Sequence, residues 1–260
     1  MKIQRAILVL TCLGILCSSS VSHADIFDGV IKALNIEEAD LQGVLGIGVF
    51  SATQPYQDVD AQVWAVPLVS LKYKNFWIDG KVLGYRLYEH GDLSFSIAGQ
   101  PRLMGYESDD STALRGMEDR DGSFDGGARV SWGNEYFDVD VTAVSDLGGT
   151  HEGQEISVIF SKELFKGFLT PRAGFKWLSD SLVDYYFGVR GTETRVGRPA
   201  YEPGSTVDAV VGATLAFPMG DKWAFITDIE YEPLGSEIAD SPIVDADGIF
   251  KYVVGVVRRF

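Results

Sequence analysis

The sequence predicts an all-β protein: a transmembrane antiparallel β-barrel of about twelve strands in a single domain, with ten strands as the alternative. Three observations predict this class: an export signal at the start, strands that alternate apolar and polar residues, and an aromatic residue at the end. Such alternation places one face of each strand in lipid and the other inside the barrel. The 29 glycines among 260 residues suit a chain with many turns.

Residues 1–24 are typical of a cleaved secretory signal peptide. Lys2 and Arg5 form its positive region, an apolar stretch follows, and Ser22-His23-Ala24 matches the small-residue cleavage pattern. The barrel domain then covers residues 25–260. Both cysteines fall in the signal, so the mature domain has no disulfide. An exported domain without cysteine is expected in the periplasm or outer membrane of a Gram-negative bacterium, and the barrel pattern favours the outer membrane.

The charge balance limits the partners. The chain carries 37 acidic and 22 basic residues, for a net charge of −15. This charge repels the phosphates of nucleic acids, so we expect no nucleic-acid partner. Inside the outer membrane, the predicted contacts are membrane lipid, lipopolysaccharide and the barrel assembly machinery.

The clearest strand covers residues 207–217. Val207, Val211 and Phe217 share one face with other apolar residues, whereas Asp208 and Thr214 lie on the opposite face. Residues 223–231 repeat the pattern, and strands of about 9–11 residues are long enough to cross a bilayer. Nine further segments are predicted as strands: 41–51, 63–73, 76–88, 93–105, 123–132, 137–143, 154–164, 168–177 and 249–260.

Bacterial barrels close with an even number of strands, so among these eleven segments either one assignment is wrong or one strand is missing. We expect the error near 178–205, where residues 184–189 are either a twelfth strand or part of a long loop. A short helix is predicted at 27–34, before the first strand.

The end of the chain predicts how the barrel is assembled. Counting back by twos from Phe260 gives a face with Val256, Val254 and Tyr252, interrupted by Arg258. A terminal phenylalanine with an aromatic residue eight positions earlier is similar to the C-terminal assembly signal of outer-membrane barrels. Tyr252 and Phe260 are therefore the predicted assembly signal, with Arg258 reaching the interface.

Residues that could carry catalysis are scarce. His90 and His151 are the two histidines after the signal, and both are predicted to be polar turn residues. The sequence around His151 lacks the second histidine of a helical zinc motif, and no nucleophile elbow or CxxC pair is present. We therefore predict no enzyme activity, no cofactor and no metal site.

Two aspartate-rich stretches resemble calcium loops without completing the ligand pattern. Residues 118–122 with Asp125, and residues 245–248, lack the third acidic position before glycine and the bidentate glutamate at the end of the loop. Hairpin turns explain the Asp-Gly pairs, and weak divalent-cation binding is the alternative.

Several charged residues are predicted to face the barrel interior. They can either pair into a salt-bridged core or line a channel, and the sequence leaves both open. These residues are Arg129, Asp138, Asp140, Arg172, Lys176, Asp208, Asp228 and Glu230.

From Gly43 onward the chain resembles the MipA/OmpV family of outer-membrane proteins. The resemblance rests on motifs in a fixed order, of which the Tyr-Phe-Gly-Val and Ser-Pro-Ile-Val strings are the most specific. The motifs are Pro55-Tyr56, Val66-Pro67-Leu68, Leu83-Gly84-Tyr85, Asp109-Asp110-Ser111, Leu114-Arg115-Gly116-Met117, Trp177-Leu178-Ser179-Asp180, Asp184-Tyr185-Tyr186-Phe187-Gly188-Val189, Tyr201, Asp240-Ser241-Pro242-Ile243-Val244 and Phe260. A Pro101-Arg102 pair departs from the expected Gly-Arg.

The resemblance implies an outer-membrane barrel that acts as a non-enzymatic scaffold for murein synthesis and turnover. It implies two partners, a lytic transglycosylase and a murein synthase; the alternatives are a porin-like channel for small solutes and a surface adhesin. The motif residues either shape the loops and fill the barrel mouth or contact a partner. These candidates are Tyr56, Asp110, Leu114, Tyr186, Phe187, Gly188, Val189, Ser241 and Pro242.

A scaffold reaches periplasmic enzymes only through its periplasmic parts. Residues 25–40 and the turns at 166–167 and 218–221 are the predicted contacts. A pore or an adhesin would depend instead on long loops around 106–122 and 190–205.

Overall fold

The computed structural model describes residues 41–260. The predicted signal peptide at 1–24, the predicted helix at 27–34 and the predicted contact segment at 25–40 lie outside the described residues. Within the described part, no helix is long and apolar enough to cross a membrane.

Twelve antiparallel strands close into one barrel, which confirms the predicted fold class and the count of twelve. Each strand pairs with its neighbours in sequence, and β1 pairs with β12 to close the sheet. The strands are β1 (Leu41–Ala52), β2 (Gln62–Tyr73), β3 (Phe76–Asp79), β4 (Val82–His90), β5 (Leu93–Arg102), β6 (Ser123–Gly133), β7 (Asp138–Asp146), β8 (Gln154–Ser161), β9 (Leu169–Leu178), β10 (Thr206–Pro218), β11 (Trp223–Pro233) and β12 (Gly248–Arg259).

The strand missing from the sequence prediction lies within 76–88. This segment forms two strands, β3 and β4, around a turn at Gly80, whose φ of 55° is in the left-handed region that glycine adopts readily. Apolar residues continue on both sides of this turn, so the sequence pattern predicts one strand where the structure has two.

Of the two alternatives for residues 184–189, the strand is wrong, because these residues lie in the long connection between β9 and β10. Residues Asp180–Phe187 form a helix, α1, which begins at Ser179 as its N-cap and ends before Gly188. The Ser179 side chain accepts a hydrogen bond from the Leu182 backbone, as N-cap serines do. The apolar residues of α1 are grouped at helical spacing, so the helix buries one face.

The connections differ between the two ends of the barrel. Five short turns lie at the end that carries the terminus, at 74–75, 91–92, 134–137, 162–168 and 219–222. Five longer connections lie at the other end, at 53–61, 103–122, 147–153, 179–205 and 234–247, and the eleventh connection is the short β3–β4 turn at 80–81. In outer-membrane barrels the short turns face the periplasm and the long loops face outside. The longer connections contain α1, a 3₁₀ turn (Gly191–Glu193) and a short helix, α2 (Ser236–Ala239).

The strands present the faces that the alternation predicts. On β10, Val207, Val211 and Phe217 are exposed on the outer face, whereas Asp208 and Thr214 are buried inside. On β12, the guanidinium of Arg258 lies 5.9 Å from the ring centre of Trp223 on the outer wall. Arg258 therefore has an aromatic partner beside the terminus, which explains how the outer face accommodates its charge.

Candidate functional site

An open cavity occupies the periplasmic end of the barrel. It has a volume of about 510 Å³ and is lined by inward side chains of β2 to β9 and by the turns below them. This volume is in the range of about 300–1,000 Å³ that is usual for ligand sites. Its lining includes the hydroxyl side chains of Ser70, Ser94, Ser96, Ser131, Ser161 and Thr170.

Arg129 organises the inner wall of this cavity. Its Nε lies 2.7 Å from Oδ1 of Asp140, and Ser131 donates a hydrogen bond of 2.5 Å to the same oxygen. Its guanidinium also lies 5.6 Å from the ring centre of Trp77. A Cβ at Gly84 would come within 2.2 Å of the Trp77 ring, so only glycine leaves room for the indole there.

A closed region lies on the other side of the interior, across β9 to β12. Arg172 binds Asp228 through both Nη atoms, at 2.7 and 2.9 Å, and reaches Glu230 at 3.1 Å. Lys176 and Lys251 each donate to Glu232 at 2.7 Å. All these side chains are buried, so the predicted inward residues Arg172, Lys176, Asp228 and Glu230 take part in a salt-bridged core. The predicted inward Asp208 is also buried, and its carboxylate accepts the Gly235 N–H at 2.8 Å.

Apolar side chains fill the rest of this closed region. A buried cluster joins Val44 and Phe50 of β1 to Val66 of β2 and to Ile226 and Val257 of β11 and β12. The Phe50 ring stacks on Trp64 with 5.6 Å between ring centres. Ionic and apolar packing together leave little interior surface for water on this side of the barrel.

The long connections fold together into a cap over the extracellular end. Its core contains the buried residues Tyr56, Tyr106, Leu114, Met117, Leu182, Val183, Tyr186, Phe187, Val189, Ile238, Ile243 and Val244. The Tyr56 ring packs edge-on against Tyr106 at 4.7 Å and stacks on Phe187 at 5.7 Å. The Ser241 hydroxyl donates to the Phe187 carbonyl at 2.6 Å, which ties the last loop to α1.

Arg120 is the ionic centre of the cap. Its Nη2 lies 2.9 Å from Glu193 Oε1, and its Nε donates to the Tyr185 carbonyl at 2.6 Å. Burial disfavours the charge of Glu193, but backbone N–H groups of Glu118 and Arg190 and the Arg120 guanidinium outweigh it and lower the pKa of this carboxyl. Burial raises the pKa of Tyr106 to about 12. The cap is therefore a packed core rather than a set of independent loops.

The structure brings most of the predicted motif residues into this cap. Tyr56, Leu114, Tyr186, Phe187 and Val189 are buried in its core. Gly188 ends α1, with its N–H donated to the Asp184 carbonyl, and Pro242 follows Ser241 in the last loop.

Three predicted residues lie outside the buried core of the cap. Asp110 is exposed and its carboxylate accepts the Glu107 N–H at 2.9 Å within a turn. Tyr252 and Phe260 lie on the outer wall and at the terminus, where both are exposed. Their role as an assembly signal stays a prediction.

His151 is buried, whereas the sequence suggested a polar turn residue. Its Nε2 lies 3.2 Å from Oδ1 of Asp125, and Asp146 lies near both, so the three form a candidate metal cluster. However, Nδ1 of His151 accepts the Gly153 N–H at 3.0 Å, so the ring proton of the neutral imidazole is on Nε2 and is donated to Asp125. Arg102 also contacts Asp125 at 2.6 Å, and its charge opposes a cation. The cluster is therefore a buried hydrogen-bond network.

Sequence reasoning missed this network because its members come from separate strands. Asp125 and His151 are 26 residues apart, and Arg102 and Glu155 are 53 apart. The signal that could have indicated the network is the presence of charged residues at inward positions of several strands.

The closed twelve-stranded wall, the apolar outer face and the unequal ends define an outer-membrane β-barrel. The family model described as "MltA-interacting protein MipA" matches residues 45–260. The chain belongs to this family, which confirms the resemblance seen in its motifs.

Two curated relatives cover most of this chain. The MltA-interacting protein of Escherichia coli (strain K12) is 26% identical over 239 residues, which are 89% of this chain and 96% of the relative. The outer membrane protein OmpV of Vibrio cholerae is 28% identical over 236 residues, which are 88% of this chain and 90% of the relative. Neither name denotes an enzyme.

Among solved structures, the outer-membrane protein OmpT of Vibrio cholerae is a distant neighbour. It is 8% identical, with a TM-score of 0.37, and the match covers 86% of this chain and 99% of that one. This similarity is too low to support a statement about function.

Proposed function

We propose that this outer-membrane barrel is a non-enzymatic scaffold that holds murein-processing enzymes at its periplasmic face. The observation that carries the proposal is the unequal access to the interior. The cavity opens among the periplasmic turns, whereas the cap covers the extracellular end of the described residues.

The buried charges argue against a water-filled channel through the closed region. Inward charges of a porin-like lumen would be in contact with water. Here Lys176 is 2% and Glu230 1% exposed, and both are paired with opposite charges. This supports an interior that stabilises the barrel rather than one that conducts solutes.

The name of the relative supplies the class of partner. The Escherichia coli relative is named for its interaction with MltA, and the alignment covers 89% of the present chain. We infer that a lytic transglycosylase is the first partner, and a murein synthase the second.

A planar-bilayer recording tests the scaffold against the channel. The purified full-length mature chain should insert without a defined unit conductance, because the cap and the paired charges block the interior. A reproducible unit step in the unmodified protein would favour the porin-like alternative.

A capture assay tests the partner directly. The mature chain in nanodiscs should retain a purified lytic transglycosylase, and replacing residues 25–40 by a neutral linker of equal length should weaken retention. The control variant changes the extracellular loops through Asp60→Asn, Asp109→Asn and Asp245→Asn, three exposed side chains, and it should leave retention unchanged. Loss of capture only in the loop variant would point to the extracellular face and contradict the scaffold.

A further inference from the structure

The periplasmic turns carry the two most exposed aromatic side chains in the described part of the chain. Phe165 is 75% exposed in the β8–β9 turn, and Tyr136 is 69% exposed in the β6–β7 turn. Aromatic residues with this exposure, on a face that meets soluble proteins, are typical anchors of protein interfaces.

The β8–β9 turn holds Phe165 in a fixed position. Phe165, Lys166 and Gly167 all have positive φ, at 52°, 60° and 83°. A bulky residue rarely adopts this conformation, so the surrounding turn must impose it. Leu164 and Leu169 exchange backbone hydrogen bonds of 2.8 and 3.3 Å across the base of the turn, which hold its two ends together.

The two turns form one surface with the cavity. Lys162 of one turn donates through Nζ to the Glu135 carbonyl of the other, and the Phe137 and Phe160 rings pack at 6.3 Å. Glu135 and Glu163, from the same two turns, line the cavity. We call this combined region, Phe165 and Tyr136 with the cavity beside them, the mouth surface.

The cavity is strongly acidic. Seven carboxylate side chains line it against three cationic ones. Arg129 pairs with Asp140 and Arg86 pairs with Glu89. A concave site of one charge sign concentrates its field and attracts ligands of the opposite sign.

We propose that the mouth surface docks a periplasmic protein that inserts a basic, extended segment into the acidic cavity and seats an apolar pocket on Phe165. This inference deepens the proposed scaffold function and rests on it, since it names the surface and the chemistry of the partner. The basic segment matches the excess carboxylates of the cavity, and the apolar pocket covers an aromatic ring that the barrel leaves in water.

A charge test addresses the cavity without any partner protein. The full mature chain in phosphatidylcholine nanodiscs is titrated into fluorescein-labelled hexalysine, with hexaglutamate as the negative probe. Hexalysine should bind, and the combined variant Asp92→Asn, Glu135→Gln and Glu163→Gln should weaken binding by about tenfold. The control variant also removes three negative charges, but from the extracellular loops, through Asp60→Asn, Asp109→Asn and Asp245→Asn. An equal loss in both variants, or no binding to the unmodified chain, overturns the cavity as the basic-segment site.

An anchor test addresses Phe165. Phe165→Ala should reduce retention of a purified lytic transglycosylase by about tenfold, as expected for an interface anchor. Phe76→Ala, which removes another exposed aromatic ring at a different periplasmic turn, should change retention little. If Phe165→Ala instead lowers the fraction of heat-modifiable, folded barrel, the ring anchors the protein in lipid and the docking proposal fails. If the unmodified chain retains no enzyme although hexalysine binds, the proposed scaffold function fails while the acidic site remains.

Discussion

The closed region and the periplasmic cavity of the barrel interior are built from the same kind of alternating strand, yet one is filled by side chains and the other is open. Across β9 to β12, three buried cations face four buried carboxylates, and three of these carboxylates, Asp228, Glu230 and Glu232, pair with the cations. Around the cavity, carboxylates outnumber cations by seven to three. This excess of one charge sign attracts water and cationic ligands to the cavity.

Polar side chains that face the interior are present in both regions, so they do not by themselves make a channel. What matters is whether the charges that the strand register brings together are complementary. Arg172 faces Asp228 across β10, and the Thr214 hydroxyl between them donates to Asp228 at 2.6 Å. The cavity lining includes five serines and four aspartates, whose side chains are shorter than those of arginine and lysine: Ser70, Ser94, Ser96, Ser131, Ser161, Asp79, Asp92, Asp138 and Asp140.

The largest expected effect comes from breaking the closed region. Arg172→Ala leaves Asp228 and Glu230 buried without their guanidinium, and should lower the free energy of unfolding by about 3–5 kcal/mol. Urea unfolding in detergent micelles measures it. Arg86→Ala, which breaks a partly exposed pair with Glu89 at the cavity, should cost no more than about 1 kcal/mol. Equal losses would show that the two regions do not differ as described.

A smaller loss of stability is expected in the cap when the pH is lowered. The folded pKa of Glu193 lies below its ordinary value of 4.5, so the stabilisation is present above that value and is lost as the pH falls through the folded pKa. Charged hydrogen bonds of this kind contribute about 1.5–3 kcal/mol. Amide exchange of the segment 190–198, corrected for intrinsic rates, should accelerate as the pH falls below 4.5 and through the lowered pKa of Glu193.

The matched control for this pH effect is Glu193→Gln. It should exchange faster already at neutral pH and lose much of the pH dependence, because the amide side chain no longer titrates. An unchanged pH response in this variant would mean that another carboxyl controls the cap.

The smallest change in stability is expected for two buried tyrosines of the cap, Tyr56 and Tyr186, with opposite sign for the two. The Tyr56 hydroxyl has no hydrogen-bond partner among the described residues, whereas the Tyr186 hydroxyl donates to the Asp121 carbonyl at 3.2 Å. Tyr56→Phe should therefore stabilise the cap by about 1 kcal/mol, and Tyr186→Phe should destabilise it by a similar amount. Thermal unfolding of the two variants checks the sign, and destabilisation by Tyr56→Phe would indicate a buried water at that hydroxyl.

Much of the fold was predictable because period-two alternation is a local property. The faces of β10 and β12 follow directly from residues 207–217 and 249–260. The break at Gly80 was not predictable from alternation, because β3 has only four residues and the apolar character continues through the turn. The helix α1 was missed for a related reason: its aromatic residues suit a strand equally well, and only the Ser179 cap marks its start.

The site was predictable only in part. The motif residues Tyr56, Leu114 and Phe187 were identified from the sequence, but their joint burial in one cap depends on loops that are far apart in the chain. Whether any of them contacts a partner stays a prediction.

By itself, the sequence determined the barrel class, its even strand count and the division of each strand into a lipid face and an inner face. These follow from spacing along the chain and from the demand that every backbone polar group in a membrane be paired. Only the tertiary structure decided which inner charges meet. Arg172 and Asp228 are 56 residues apart and become partners because β9, β10 and β11 stand side by side at one register. The same register leaves the carboxylates of the periplasmic cavity in excess, and so decides where the barrel stays open.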